Sequence, residues 1–456
     1  MAAELRRMAL ACIWPGFPGY EAPEWVRRRL ADGMGGVCLF GWNVRDVEQV
    51  AELTAALRAE NPAVLVSTDE EGGDVTRLEL ATGSSFPGNW ALGVADDAGM
   101  TAEVAAGIGS LCAQAGVNLD LAPCADVNSN PANPVIGIRS FGADPALVSR
   151  HVAAFVQGLQ RCGVAACAKH FPGHGDTAQD SHHELPRAEG DLEAALAPFR
   201  AAVDAGVKTV MTAHIVVPAF GTGPATVSKE LLTGQLRGGL GFDGLVVTDA
   251  LEMRGLADSV GIEEGAVLAL EAGADALCLG HDLADEAVER VCGAITGAVE
   301  AGRLPVDRLA KACERIASVA AWAQPQPVDF DPGVGRGAAC RALRVEGDVR
   351  LAGPARVVEL LPDPNMAAGP AEHSLAQLLG TEPDADGRMV VVLRDAHRYD
   401  WVREQADALL ADCPNAVVVE TGLPYWRPAS ARNYVATHGA GRANLEAAAE
   451  VLLGHA

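Results

Sequence analysis

The strongest constraint on the fold is the regular alternation of short apolar segments with amphipathic ones. Eight apolar runs occupy the first two thirds of the chain: MALACI, GVCLF, AVLVST, VNLDLA, VAACAK, TVMTA, LVVTD and ALCLG. Continuous apolar strands separated by helical segments such as DVEQVAELTAALRAE are typical of a parallel sheet covered by helices. Eight such units predict an α/β fold of the (β/α)8 TIM-barrel type, and a doubly wound open sheet is the alternative.

A change in composition marks the end of this pattern. Residues 324–338 read QPQPVDFDPGVGRGA, in which Pro and Gly are dense enough to predict a linker without a helix. Beyond it, RVVELL, RMVVVLRD and NAVVVETG predict buried strands, and WVREQADALLAD and NLEAAAEVLLG predict helices. We therefore expect a catalytic barrel over 1–323, a linker over 324–340 and a smaller α/β sandwich domain over 341–456.

Charge and cysteine usage restrict the partners and the compartment. A formal net charge of −25 argues against nucleic acid or an anionic membrane as partner. The eleven cysteines form no C-x-x-C pair, and several lie inside apolar runs, which is typical of a reducing compartment. No segment approaches the ~20 apolar residues of a membrane span. The sequence predicts a cytoplasmic protein and leaves its oligomeric state open.

Polar residues follow four of the predicted strands directly. Asp69 follows LVST, Lys169 and His170 follow VAACA, His214 follows MTA, and Asp249 ends LVVT. In a parallel barrel the residues after the strands gather on one rim, where the active site is built. These five side chains are therefore candidates for a common site.

The segment KHFPGHGDTAQDSHH at 169–183 is unusually rich in titratable groups. A metal site is disfavoured for two reasons. Barrel metallohydrolases usually need a His-x-His pair at the end of the first strand, and this chain lacks one there. In addition, Pro172 and Gly173 prevent a helix from aligning His170 with His174. A phosphate-binding loop is a weak alternative, since the glycines lack the required spacing. We expect neither a metal nor another cofactor.

The remaining interpretation of this loop is proton transfer. In Asp180-Ser181-His182 the carboxylate can contact the imidazole, fix its tautomer and raise its pKa toward a value useful for both donating and accepting a proton. Asp249 is the best candidate for a facing nucleophile or stabilising carboxylate. The alternative for Asp249 is that it caps the next helix.

Four segments together resemble a known family. STDEEGGDVTRL, NPVIGIRSFG, KHFPGHGDTAQDSHHELP and VVTDALEM occur in an order and spacing similar to glycoside hydrolase family 3, in its β-N-acetylhexosaminidase branch. The resemblance covers residues 8–320, and the C-terminal part looks like a shortened form of the family's second domain. It implies that Asp249 is the nucleophile and that His182 is the general acid/base, oriented by Asp180.

The resemblance also implies a set of sugar-binding residues, to which the position of His214 at a strand end adds one more candidate. The expected substrate-binding side chains are Asp69, Arg77, Arg139, Lys169, His170 and His214. Two positions depart from the pattern of many relatives. Asp74 stands where an arginine is common, and Ile138 stands where an acidic residue is common. Both changes are expected to shift substrate preference on the leaving-group side of the site.

The function implied is that of a retaining, exo-acting β-N-acetylhexosaminidase, which cleaves terminal N-acetylglucosamine through a covalent glycosyl-aspartate. A β-N-acetylglucosaminide phosphorylase is the main alternative, because a histidine that has given up its proton is neutral and does not repel phosphate. A metal-dependent barrel hydrolase and a non-catalytic sugar-binding protein are the others. The sequence leaves open whether the substrate is a muropeptide from peptidoglycan recycling, a chitobiose-like disaccharide or another glycoconjugate, and whether the C-terminal domain contributes to the site.

Overall fold

In a computed structural model, eight short, buried strands enclose the core of the N-terminal part of the chain. The structure describes residues 2–181, 185–280, 284–364, 367–369, 373–381 and 387–455. The strands are β1 (Ile13–Pro15), β2 (Gly36–Cys38), β3 (Leu65–Thr68), β4 (Leu119–Asp120), β5 (Ala165–Phe171), β6 (Thr209–Thr212), β7 (Leu245–Val247) and β8 (Leu277–Gly280). All are buried along their length, as expected for a parallel sheet covered on its outer side by helices.

The strands close into a barrel. β2 to β7 pair in parallel in sequence order, and β8 pairs in parallel with β1. A parallel bridge between Val247 and Ala276 links β7 to the segment leading into β8. The last gap is closed by side-chain packing, since a Cβ on Gly36 would lie 2.6 Å from the indole of Trp14 in β1. The predicted TIM-type barrel is confirmed, and the open doubly wound sheet is wrong.

Helices surround the barrel and connect its strands. They are α1 (Ala2–Ala11), α2 (Glu24–Ala31), α3 (Val47–Glu60), α4 (Asn89–Ala95), α5 (Ala98–Gln114), α6 (Pro145–Gln160), α7 (Leu192–Asp204), a π-helical segment (Glu230–Gly239), α8 (Arg254–Val260), α9 (Ile262–Ala272), α10 (Asp285–Glu300) and α11 (Val306–Trp322). Four of these helices begin after an aspartate whose carboxylate accepts a backbone N–H of the first turn. The four capping residues are Asp46, Asp97, Asp144 and Asp191. None of the described helices is long and apolar enough to cross a bilayer.

The strand predicted from MALACI is wrong. Residues 2–11 form helix α1, and β1 begins only at Ile13. The segment AAELRRMALA consists of residues with high helix propensity, and its apolar end packs Ala9 and Leu10 into the core. An apolar run at the end of a helix thus imitates a strand. The other seven apolar runs each contain a barrel strand.

A second sheet lies in the C-terminal part. Its strands are β9 (Arg344–Glu346), β10 (Ala355–Leu360), β11 (Arg388–Leu393), β12 (Val417–Glu420) and β13 (Asn433–Ala436). The order is β10-β11-β12-β13-β9, and only β9 is antiparallel to its neighbour. The accompanying helices are α12 (Val334–Ala342), α13 (Leu375–Leu378), α14 (Asp400–Asp412) and α15 (Arg442–Leu453). The three strands and two helices expected here are confirmed, whereas β9 and β13 were not anticipated.

Alternation along the strands makes this sheet the middle layer of a sandwich. In β11, Val391 and Leu393 pack with α14 on one face. Val390 and Val392 pack with α15 on the opposite face. Successive side chains of a strand point to opposite faces, so a strand apolar at every position requires cover on both sides.

The expected helix-free linker over 324–340 is wrong at its C-terminal end. Helix α12 begins at Val334, directly after the last proline-containing stretch, in which Pro332 is the final proline. Gly335 allows this helix to approach the barrel closely, because a Cβ there would lie 2.1 Å from the carbonyl oxygen of Ser85. The domain boundaries themselves stay predictions.

Charged and apolar contacts join the two parts. Arg394, after β11, forms an ion pair of 2.5 Å with Asp74, in the segment after β3. Trp90 of α4 packs with Ile138 and Leu423 in a small buried cluster. The carboxyl edge of the second sheet is thereby held against the loops that follow β3 and β4, which are the loops that build the cavity described next.

Candidate active site

A cavity of about 440 Å³ opens at the carboxyl ends of the barrel strands. Six of the sequence-predicted residues line it: Asp69, Arg77, Arg139, Lys169, His170 and Asp249. This is the end of a TIM-type barrel at which active sites are found. The structure therefore brings together side chains that lie up to 180 positions apart in the chain.

A cluster of paired charges forms one wall of the cavity. The ammonium of Lys169 lies 2.6 Å from Asp69 Oδ1 and 2.7 Å from Glu71 Oε1. Arg139 makes a two-point contact with Glu71, with Nη2–Oε1 at 2.7 Å and Nε–Oε2 at 3.0 Å. Lys169, Glu71 and Arg139 are buried. Each side chain is held by at least one partner, so the cluster presents fixed donors and acceptors to the cavity.

The pairing keeps these groups charged. Burial by itself raises the pKa of Glu71, but Arg139 and Lys169 overcome it and hold the pKa well below its usual range. Burial opposes ionisation of Asp69 in the same way, and Lys169 and Arg77 lower its pKa. Burial disfavours the charged ammonium of Lys169, yet Asp69 and Glu71 raise its pKa. The carboxylates and the ammonium therefore remain ionised through the neutral range.

Arg77 connects the barrel to the C-terminal part of the chain at the cavity. Its Nη2 lies 3.6 Å from Asp69 Oδ2 and donates a hydrogen bond of 2.8 Å to the carbonyl of Ala367. Residues 367–369 line the cavity. The C-terminal part therefore supplies part of the wall, which answers the question that the sequence left open.

Asp126 orients His170. Its carboxylate accepts a hydrogen bond of 2.7 Å from His170 Nδ1 and one of 2.6 Å from the backbone N–H of His174. Burial raises the pKa of Asp126, but His170 and His174 together outweigh burial and hold the pKa below its usual value. Arg139 can only donate, so its 3.4 Å contact with His170 Nε2 assigns the proton to Nδ1 and the lone pair to Nε2.

Asp126 and Glu71 were not anticipated as site residues. Asp126 follows β4 in LDLAPCAD, and the end of that strand was the signal that could have revealed it. Glu71 follows Asp69 by two positions, but its partners Arg139 and Lys169 are far away in the sequence. Local patterns carry no information about such pairs.

One group of described side chains has metal-ligand character. Cys124, Asp126 and His170 place a thiol, a carboxylate and an imidazole within 4.8 Å of one another, all buried. The thiol donates to Asp126 Oδ2 at 3.1 Å, and His170 Nδ1 donates to the same oxygen. Burial raises the pKa of Cys124 well above its usual value. The ligand atoms thus carry protons that a metal would have to displace.

Asp249 follows β7 and faces the cavity. It is half-buried, and its Oδ1 accepts a hydrogen bond of 2.8 Å from the backbone N–H of Ala250. The next helix, α8, begins only at Arg254 and has Met253 at its cap position. The alternative that Asp249 caps this helix is therefore wrong.

His214 lies behind Asp249 and is not among the residues that line the cavity. It is fully buried, and its Nε2 donates a hydrogen bond of 3.0 Å to the carbonyl of Ala250. Its Nδ1 lies 2.8 Å from the hydroxyl of Thr226. His214 therefore contacts the peptide segment next to Asp249, and its expected contact with substrate stays a prediction.

The loop after β5 is fixed from within by His174. Nδ1 of His174 lies 2.7 Å from the hydroxyl of Thr177, and Nε2 lies 3.1 Å from the hydroxyl of Ser181. The Thr177 hydroxyl donates to the carbonyl of His174, so Nδ1 carries the proton and Nε2 accepts from Ser181. Burial lowers the pKa of His174 to about 4, so the ring is neutral at physiological pH.

The predicted acid/base residue, His182, lies outside the described residues. Asp180 is half-buried and Ser181 is buried, and Ser181 lines the cavity. The described part of the loop therefore leads to the cavity one position before His182.

Comparison with known proteins assigns the chain to a family. The model of the glycosyl hydrolase family 3 N-terminal domain matches residues 17–319. The chain belongs to glycosyl hydrolase family 3. It is a glycoside hydrolase of the β-N-acetylhexosaminidase branch, and the resemblance noted in the sequence is confirmed.

Curated family 3 relatives are similar over the barrel. β-Hexosaminidase of Neisseria meningitidis serogroup C is 38% identical over 299 residues, covering 61% of this chain and 82% of that protein. β-Hexosaminidase A of Pseudoalteromonas piscicida is 34% identical over 317 residues, covering 63% of this chain and 53% of that protein. The matched part of this chain thus spans about half the length of the second relative.

A solved family 3 structure is similar over both parts of the chain. The β-N-acetylglucosaminidase from Paenibacillus sp. str. FPU-7 has a TM-score of 0.88 and 32% sequence identity. The comparison covers 99% of this chain and 96% of that chain. The likeness therefore includes the C-terminal sandwich and its position against the barrel.

Proposed function

We propose that the protein is a retaining, exo-acting β-N-acetylglucosaminidase that releases terminal N-acetylglucosamine by way of a covalent glycosyl-aspartate. The observation that carries the proposal is that Asp249 lines the same cavity as the fixed charges of Asp69, Lys169 and Arg139. A nucleophile and a set of hydroxyl-binding groups around one cavity are what a glycosidase requires. The similarity to the Paenibacillus enzyme, a β-N-acetylglucosaminidase, supports the choice of sugar.

The charge cluster would bind the terminal sugar. Carboxylate oxygens of Asp69 accept hydrogen bonds from hydroxyl groups, while Lys169 and Arg139 donate to hydroxyl oxygens. These side chains are already held by one another, so little conformational entropy is lost when the sugar enters. His170, fixed by Asp126, offers Nε2 as a further polar contact.

Asp249 would act as the nucleophile. It attacks the anomeric carbon, the bond from that carbon to the leaving oxygen breaks, and the glycosyl group stays on the carboxylate as an ester. Water then attacks the same carbon from the face that the leaving group vacated, and the aspartate leaves. Two inversions give net retention of configuration.

His182 would move the proton in both steps. It donates to the leaving oxygen in the first step and removes a proton from water in the second. This assignment is supported by the Asp180-Ser181-His182 motif and by the position of Ser181 in the cavity wall. Once it has donated its proton the imidazole is neutral, so an anionic acceptor meets no like charge there.

Product analysis tests the proposal. The protein is incubated with an aryl β-N-acetylglucosaminide, with and without phosphate, and the sugar product is followed by NMR from the earliest times. We expect free N-acetylglucosamine, released as the β-anomer, in both conditions. Predominant sugar 1-phosphate would make the enzyme a phosphorylase, and initial α-anomer would exclude a retaining mechanism. Asp249→Asn is the inactive control.

A further inference from the structure

Asn133 lies behind the cavity wall and contacts two segments that are distant in the sequence. Its side chain is buried and is not among the groups that line the cavity. The amide nitrogen Nδ2 donates hydrogen bonds to the backbone carbonyls of His174 and Thr177, at 2.8 and 3.0 Å. The amide oxygen Oδ1 accepts from the backbone N–H groups of Val135 and Ile136, at 3.0 and 2.7 Å. One side chain thus joins the segment after β4 to the loop after β5.

These four partners fix the direction in which the amide of Asn133 points. A backbone N–H can only donate and a carbonyl can only accept, so turning the amide over would place like groups against each other at all four contacts. The two N–H bonds of the amide meet the two carbonyls, and its oxygen meets the two N–H groups. A buried link of this kind has a single favourable orientation, so it holds the two segments in one relative position.

The oxygen side of the amide supports the sugar-binding side of the cavity. Val135 and Ile136, whose N–H groups it holds, both line the cavity. The carbonyl of Val135 accepts a hydrogen bond of 3.1 Å from Arg139 Nη1, and the carbonyl of Ile136 accepts one of 2.9 Å from the backbone N–H of Arg139. The guanidinium that contacts Glu71 is therefore placed through peptide groups that Asn133 orients.

The nitrogen side of the amide supports the loop that leads to His182. The ring of His174 contacts the hydroxyls of Thr177 and Ser181, and both His174 and Ser181 line the cavity. The carbonyls that Asn133 holds belong to His174 and Thr177. Asn133 therefore fixes the backbone on which the hydrogen bond between His174 and Ser181 is built.

We propose that Asn133 is a positioning residue that couples the sugar-binding side of the cavity to the acid/base loop. The inference rests on the proposed function, because that function assigns the proton transfer to His182. Asn133 acts through Arg139 on one side and through the loop after β5 on the other, and it takes no part in bond making.

Asn133→Asp tests the loop side of the amide separately. Aspartate has the same shape and keeps an oxygen for Val135 and Ile136. Its second oxygen replaces the amide nitrogen, so the donors to His174 and Thr177 are lost. The two sides of the amide can therefore be examined one at a time.

The measurement compares phenyl and 2,4-dinitrophenyl β-N-acetylglucosaminide, whose leaving groups need much and little protonation. In Asn133→Asp we expect kcat/KM to fall about tenfold for the phenyl glycoside and less than about threefold for the dinitrophenyl glycoside. The inhibition constant of N-acetylglucosamine reports binding of the sugar. It should stay within about twofold of the wild-type value, because the contacts toward Arg139 are kept.

Asn133→Ala removes both sides of the amide. The ratio of kcat/KM for the phenyl glycoside to kcat/KM for the dinitrophenyl glycoside should fall as in Asn133→Asp. In addition, the inhibition constant of N-acetylglucosamine should rise about fivefold, because the peptide groups that hold Arg139 lose their acceptor. This variant also carries the test if Asn133→Asp does not fold.

Asn118→Ala is the matched control. Asn118 is also buried and bridges backbone groups, since it accepts from the N–H of Val66 at 2.7 Å and donates to the carbonyl of Val64 at 3.1 Å. It directly precedes β4, at the end of the barrel opposite the cavity. Asn118→Ala should lower Tm and leave both the ratio and the inhibition constant unchanged.

Equal slowing of the two glycosides in Asn133→Asp, or no slowing of either, would overturn the coupling and leave Asn133 a part of the fold alone. Failure of the wild-type protein to release N-acetylglucosamine even from the dinitrophenyl glycoside would instead reject the proposed function. The two failures are therefore distinguishable.

Discussion

His174 and Ser181 are joined across the loop after β5 by a hydrogen bond of 3.1 Å between Nε2 and Oγ. Both side chains are buried, and burial lowers the pKa of His174 to about 4, so Nε2 keeps its lone pair at neutral pH. Ser181 directly precedes His182. The hydrogen bond therefore anchors the loop one residue before the proposed acid/base.

Removing this anchor should slow catalysis that depends on proton donation. We expect Ser181→Ala to lower kcat about tenfold for substrates with poor leaving groups and much less for those with good ones, since only the former need a well-placed proton donor. His174→Ala should behave alike, and the double variant should lose little more, because both changes remove one interaction. Steady-state kinetics on a series of aryl glycosides measures this.

Ser149→Ala is the control for the loop variants, because its hydroxyl bonds a carbonyl within helix α6. Fully additive losses in the double variant would show that His174 and Ser181 act separately. Equal slowing of all leaving groups would indicate a purely structural role.

The roles proposed for Asp249 and His182 predict different kinetic signatures. Asp249→Ala should abolish turnover, because it removes the carboxylate that forms the glycosyl ester in the proposed mechanism. His182→Ala should retain cleavage of aryl glycosides with good leaving groups and lose about 100-fold or more with poor ones. Substantial activity in Asp249→Ala would reassign the nucleophile, and a uniform loss across leaving groups in His182→Ala would exclude the acid role.

The ion pair between Asp74 and Arg394 predicts coupling between the barrel and the C-terminal sandwich. Asp74 is nearly buried and also accepts from the backbone N–H of Ala440, so Asp74→Ala leaves the guanidinium of Arg394 without its partner. We expect a loss of about 3 kcal/mol, seen as a fall in Tm of several degrees. Differential scanning calorimetry provides the measurement.

A second ion pair joins the same parts of the chain at the surface and serves as control. Arg341 and Asp97 lie 3.0 Å apart and are well exposed, so Arg341→Ala should change stability by less than about 1 kcal/mol. A Tm for Asp74→Ala that matches the one for Arg341→Ala would contradict the coupling.

Glu420 predicts a pH-dependent loss of stability. Burial, reinforced by Asp395, raises the pKa of Glu420 to about 8, whereas an unfolded chain has a Glu pKa of about 4.3. Between these values the folded state binds more protons than the unfolded state, so stability falls as pH rises through this window. The glutamine side chain in Glu420→Gln cannot ionise, so this variant should not lose stability in this way as the pH rises.

The free energy of unfolding of Glu420→Gln relative to wild type should therefore rise steadily from pH 5 to pH 8, by roughly 2–4 kcal/mol in denaturant titrations. Glu404→Gln, on the exposed face of α14, should follow the wild-type curve. A difference between Glu420→Gln and wild type that stays constant with pH would contradict the buried, protonated state.

The fold was largely predictable because seven barrel strands are short apolar runs between polar ends. The failures have local physical causes. Helix α1 ends in an apolar run that resembles a strand. Helix α12 begins directly after a proline-rich stretch, so the sequence does not indicate where the helix starts. Strand β9 is short and mostly exposed, so it carries no apolar signal.

The site was predictable where it depends on strand ends, and unpredictable where it depends on long-range pairing. Asp69, Lys169 and Asp249 are at the cavity because each lies at or close to the carboxyl end of a strand. The contact of Glu71 with Arg139 joins residues 68 positions apart, and that of Arg77 with Ala367 joins residues 290 positions apart. The first pair exists only once the barrel has folded, and the second only once the barrel and the sandwich have folded against each other.

A covalent bond between Asp249 and the sugar is the central step of the proposed mechanism. The most direct measurement is to inactivate the enzyme with a 5-fluoro derivative of β-N-acetylglucosaminyl fluoride, in which the fluorine slows breakdown of the intermediate, and to map the adduct by mass spectrometry. We predict one added sugar per chain, on the peptide that contains Asp249. An adduct on another carboxylate, or turnover without any adduct, would contradict this mechanism.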